Sequence, residues 1–94
     1  MGKMSYTAFY ARVIGRVQGV GFRYSAAREA ERLKVKGRVS NAANGDVEVW
    51  AEGSPGSCEL FLKWLNKGPQ FSRVDSVEVE IIEPKGYDSF SVGY

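Results

Sequence analysis

Histidine is absent from the 94 residues, and that absence excludes more chemistry than any residue present. Ser-His-Asp and Cys-His nucleophiles, phosphohistidine intermediates and most zinc sites all need an imidazole. Cysteine is down to Cys58 alone, so no internal disulfide is expected and a reducing, cytoplasmic location fits. No apolar run approaches the roughly 20 residues of a membrane span. The opening Met1-Gly2-Lys3-Met4 leads into no apolar stretch of the signal-peptide kind, and Tyr6 stands where a myristoylation pattern needs Ser or Thr. A soluble protein without a membrane partner is expected. Charge is nearly balanced at +2, which argues against a dedicated nucleic-acid binder while leaving room for a local basic patch at Arg12, Arg16 and Arg23.

What remains is an ordinary globular composition rich in Val, Phe, Tyr and Gly, long enough for one small core. One domain over residues 1–94 is expected, with residues 1–5 as a loose lead-in. Residues 6–14 alternate, with Phe9, Ala11 and Val13 on one face and Tyr10 and Arg12 on the other, as in a half-buried strand. Phe22, Ala26, Ala30 and Leu33 then recur at helical spacing, and a strand is predicted over 38–42 after Gly37. Asn44-Gly45 predicts a tight hairpin turn into a strand over 46–52, with Val47, Val49 and Ala51 sharing a face. Ser54-Pro55 reads as a helix start with Leu60, Phe61, Trp64 and Leu65 on one stripe, ending near Asn66 before Lys67-Gly68-Pro69. Val77, Val79 and Ile81 alternate with Glu78 and Glu80 in a strand that Pro84 stops, and residues 87–92 read as a short final strand.

The order is βαββαβ with a short extra C-terminal strand, the α+β ferredoxin-like plan, in which two helices cover one face of an antiparallel sheet. A right-handed crossover makes the first two strands parallel, so both end at one sheet edge. The first of these ends leads into Gly15-Arg16-Val17-Gln18-Gly19-Val20-Gly21-Phe22-Arg23. Glycines permit positive φ and close backbone approach, the following helix presents free amides, and Arg23 offers a planar fork for two oxygens. The stretch reads either as a structural turn or as a phosphate cradle. At the end of the second strand, Asn41 should share the core-side face with Val39 and so look toward that loop. A buried amide there needs a partner or a task.

Gly15-Arg16-Val17-Gln18-Gly19-Val20-Gly21-Phe22-Arg23 resembles the first acylphosphatase signature. The second is similar to Gly37-x-Val39-x-Asn41-x-x-Asn44-Gly45-x-Val47, with Gly53 beyond and a closing Phe90-x-Val92-x-Tyr94. The resemblance implies hydrolysis of acyl phosphates to carboxylate and inorganic phosphate, without metal or cofactor. It implies that Arg23 and the backbone of Gln18, Gly19, Val20, Gly21 and Phe22 hold the phosphoryl group and that Asn41 positions the attacking water. Expected partners are a small acyl phosphate and inorganic phosphate as product and inhibitor; the protein is expected to be a monomer.

Several positions depart from the family pattern. Arg38 replaces a usual aromatic, Ser40 a usual basic residue, Asn44 a common aspartate and Gly93 a frequent basic residue. Arg38 and Ser40 should point away from Asn41, so altered rim electrostatics or stability is expected. A nucleotide P-loop would need Gly-Lys-Ser/Thr, and a dinucleotide fingerprint a different spacing. An RNA-recognition motif shares the element order, but its Gly-aromatic-Gly-Phe segment belongs on the third strand, whereas Gly19-Val20-Gly21-Phe22 precedes the first helix. A non-catalytic module that keeps the cradle to bind carbamoyl phosphate or a similar ligand is the other alternative. Cys58 reads as a packing residue, Trp50 as lying on the open sheet face and Trp64 as core.

Overall fold

A computed structural model describes residues 6–93, so the lead-in expected over residues 1–5 and the closing Tyr94 lie outside the described residues. The chain forms β1 (Thr7–Arg16), α1 (Phe22–Leu33), β2 (Lys36–Asn41), β3 (Val47–Gly53), α2 (Pro55–Lys67), β4 (Arg73–Ile82) and β5 (Phe90–Val92). The sheet order is β4-β1-β3-β2-β5. The fold is the expected βαββαβ sheet with a short C-terminal strand; its neighbours are antiparallel except for β2 and that last strand, β5, which run parallel. The reason is the path of the chain. β4 ends at the edge opposite the α1 N-terminus, and residues 83–89 cross to the far side of the sheet before β5 turns back up beside β2.

The core lies between one sheet face and the two helices. Phe9, Ala11 and Val13 from β1, Val39 from β2, and Val47, Val49 and Ala51 from β3 meet Phe22, Ala26 and Ala30 of α1 and Phe61 and Leu65 of α2. The period of two in the strands and the three-to-four spacing in the helices aim these residues inward. In α2 the inward stripe is Cys58, Phe61 and Leu65, whereas Leu60 is exposed, because i, i+3 and i+7 share a face and Leu60 falls to its side. Burial pushes the Cys58 thiol pKa up, which keeps it a protonated packing group. Ser54 caps α2, its Oγ accepting from the Ser57 amide, and Pro55 opens the helix.

Two expectations in the strands are corrected. β1 runs through Gly15 and Arg16, and Gly15 belongs to a register shift against β4 where a Cβ would collide with the Arg73 carbonyl; it serves strand packing and lies outside the loop. The Asn44-Gly45 turn is tight: the Gly45 amide donates to the Ala42 carbonyl at 3.3 Å, the Ala42 amide donates to the Asp46 carbonyl at 2.8 Å, and the Asn44 Oδ1 accepts from the Asp46 amide at 3.1 Å. Val79 and Ile81 are exposed despite their alternation, since β4 is an edge strand that the helices cover only in part.

Glu52 had no role in the pattern, yet it is almost fully buried. Its carboxylate accepts the amides of Lys85 at 2.7 Å and Tyr87 at 2.5 Å, pinning the crossing segment beneath the sheet halfway along its route. Glu52→Gln keeps the volume but turns an NH2 donor toward one of these amides. It is expected to cost about 2–3 kcal/mol, the worth of a charge-assisted hydrogen bond plus an orphaned donor. The midpoint of urea unfolding checks this; an unchanged midpoint would assign the segment's hold to other contacts.

Candidate active site

The loop over 17–21 is anchored by its apolar members. Val17 is buried and Val20 packs against the core, so the backbone between them faces outward. Gly19 has φ 74°, and Gly21 caps α1 with φ 76° and ψ 18°. An added Cβ at either would meet nothing within 4 Å, so glycine is demanded there by the backbone angle, with open space in front of it. Ser25 donates the first helical bond, to the Gly21 carbonyl, at 3.0 Å. Among the described residues the amides of Gln18, Gly19, Val20, Gly21 and Phe22 donate no ordinary hydrogen bond, and the first turn of α1 holds no acidic side chain. A run of unspent donors at the positive end of a helix dipole attracts an anion.

Gln18 does more than its backbone suggested. Its Nε2 donates to the carbonyls of Ala42 at 2.8 Å and Asp46 at 2.9 Å, which ties the loop to the turn that follows Asn41. No periodicity marks a glutamine inside a glycine loop, so this bridge had no signal beyond the residue's polarity. At the rim Arg12 lies 3.8 Å from the Asp46 carboxylate.

Arg23 occupies the first turn of α1, and its Nη1 donates to the Gly93 carbonyl at 2.6 Å. Gly93 in turn donates its amide to the Val39 carbonyl at 2.7 Å, two residues before Asn41. Asn41 ends β2, half-buried, and its Oδ1 is fully buried without a donor among the described residues. These contacts draw the loop, Arg23, Asn41 and Gly93 to one edge of the sheet. The sequence pattern pointed to the first three; Gly93 was noted only as a departure.

A cavity of about 610 Å³ lies elsewhere, between α1 and β5, and includes none of the cradle residues. A cleft of about 450 Å³ instead borders the loop at Arg16, Asn44, Asp46 and Arg73. A small anion needs a rim of donors and charge more than a deep void. The open sheet face carries Tyr10 and Trp50 with ring centroids 5.3 Å apart. Base stacking there is opposed by Glu48, which accepts from the Tyr10 hydroxyl at 2.6 Å, and by Glu78 and Glu80 on the adjoining strand. Among the described residues there is no cluster of metal-ligating side chains, and no helix is long and apolar enough to cross a membrane.

Fold and cradle together define a small α+β domain with a run of unspent backbone donors at one sheet edge. The acylphosphatase family model matches residues 9–92. An acylphosphatase of Thermococcus kodakarensis is 47% identical over 83 residues, covering 88% of this chain and 91% of the relative. One from Yersinia pseudotuberculosis is 42% identical over 92 residues, covering 97% of this chain and all of the relative. The solved structure of an acylphosphatase from Coxiella burnetii superposes with a TM-score of 0.93 at 37% identity, covering 99% of this chain and all of that one. The chain belongs to the acylphosphatase family, enzymes that hydrolyse acyl phosphates.

Proposed function

We propose that the backbone amides of Gln18, Gly19, Val20, Gly21 and Phe22, with the Arg23 guanidinium, hold the phosphoryl oxygens of an acyl phosphate, and that Asn41 aims the attacking water. The observation that carries this reading is the buried Asn41 Oδ1 without a donor, one residue before Ala42, whose carbonyl Gln18 ties to a loop whose amides lack acceptors. Burying an acceptor unpaired costs about 1–3 kcal/mol, and a water O–H supplied by the reaction would satisfy it.

The chemistry needs little else. Water attacks phosphorus in line with the acyl oxygen; the new P–O bond forms as the P–O bond to the acyl group breaks, and the carboxylate leaves with the electron pair. Carboxylate is a good leaving group, so positioning and stabilisation of the equatorial oxygens carry the rate. The water's proton passes to a phosphate oxygen, since the chain has no imidazole and neither the loop over 15–23 nor the strand that carries Asn41 holds a carboxylate. A cradle made mostly of backbone recognises the phosphoryl end and selects weakly among acyl groups.

Steady-state hydrolysis of benzoyl phosphate with a chelator present tests the reading. Turnover that persists in chelator and is inhibited competitively by inorganic phosphate is expected. Loss of all turnover on chelation, or no turnover with tight salt-sensitive RNA binding in its place, would overturn it.

A further inference from the structure

Two departures from the family pattern, Arg38 and Gly93, meet in space. Arg38 lies on the exposed face of β2 with its guanidinium carbon 5.9 Å from the centre of the Trp50 ring on β3. The same guanidinium reaches across to the chain beyond β5 and lies over Gly93: a Cβ placed there would fall 2.7 Å from the Arg38 Cζ. The site is therefore filled by the arginine, and only glycine at position 93 leaves room for it. Beneath this strap the Gly93 backbone bonds in two directions, its amide to the Val39 carbonyl at 2.7 Å and its carbonyl to the Arg23 Nη1 at 2.6 Å.

We infer that Arg38 is a positioning residue for phosphoryl binding: laid between the Trp50 ring and Gly93, it fixes the Gly93 carbonyl that orients Arg23. The inference rests on the assignment of Arg23 to the phosphoryl group. Arg38 touches neither substrate nor the reacting atoms. Its action passes through one backbone unit, and the missing side chain at position 93 is the complement of the guanidinium at position 38. The arginine and the glycine work as a pair, so their substitutions must couple.

Arg38 is exposed, so Arg38→Ala should fold. It is expected to raise KM for benzoyl phosphate and the dissociation constant of inorganic phosphate together, by about three- to tenfold, with kcat within about twofold, the signature of weakened uniform binding. Gly93→Ala should displace the guanidinium and do the same. In the double variant, Gly93→Ala should add nothing, because the group it displaces is gone. Unchanged phosphate affinity in Arg38→Ala, a fall in melting temperature alone, or losses that multiply in the double variant would overturn the inference. Phosphate affinity is read by titration calorimetry, which needs no turnover. Failure of the wild-type protein to hydrolyse benzoyl phosphate would count against the proposed reaction, while the phosphate titrations would still decide the role of Arg38.

Discussion

Arg23→Gln is expected to lower kcat/KM for benzoyl phosphate about a thousandfold, the scale on which removal of one preorganised charge-bearing donor acts on a transition state. The same substitution should abolish measurable inhibition by inorganic phosphate. The two losses should come together, because in the proposed assignment the guanidinium meets the oxygens both in the bound ground state and as charge redistributes during transfer. The glutamine amide ends two bonds short of the Arg23 Nη1 that donates to the Gly93 carbonyl at 2.6 Å, so that contact is expected to be lost as well. Lysine is the sharper control. It restores charge without the fork, and should recover phosphate affinity better than rate. Full activity in Arg23→Gln would remove Arg23 from the site and leave the loop amides to act alone.

Asn41→Ala is expected to divide the same two quantities. With its Oδ1 assigned to the water, kcat should fall about a hundredfold or more while phosphate affinity stays within about threefold, since misplacing a nucleophile costs rate before it costs binding. Stability should move in the opposite direction. The fully buried Oδ1 has no donor among the described residues, so deleting it removes an uncompensated polar burial. The gain is about 0–1 kcal/mol after the small void is counted. An active site that holds a destabilising group behaves in this way. A variant that loses activity and also unfolds at markedly lower urea would show Asn41 to be a structural residue.

The parts of the site written in local sequence were the legible ones. Two glycines at φ near +75° between a strand and a helix are marked by residue type, and the period of two carries Asn41 to the same face as Val39. What stayed hidden is bonding between segments far apart in the chain. The Gln18 bridge spans 24 residues, the Glu52 bond to Tyr87 35, and the Arg23 bond to Gly93 70. None has a periodic signature, because each depends on where the sheet order brings two backbones together. Gly15 shows the reverse error. It looked like part of the loop because it stands six residues before Gly21, but the structure uses it to let β1 approach β4.

The short β5 has a further consequence. It pairs with β2 over only three residues, at an edge of the sheet, and it is held from below by a segment fastened to Glu52. Edge elements with few ladder bonds open at lower free energy than the core to which they are attached. Peeling β5 away would take the Gly93 carbonyl from Arg23 while β1, β3 and the two helices stayed packed. Catalytic competence would then have a lower threshold than foldedness: on approach to denaturing conditions, the protein would fall silent while its core was still intact.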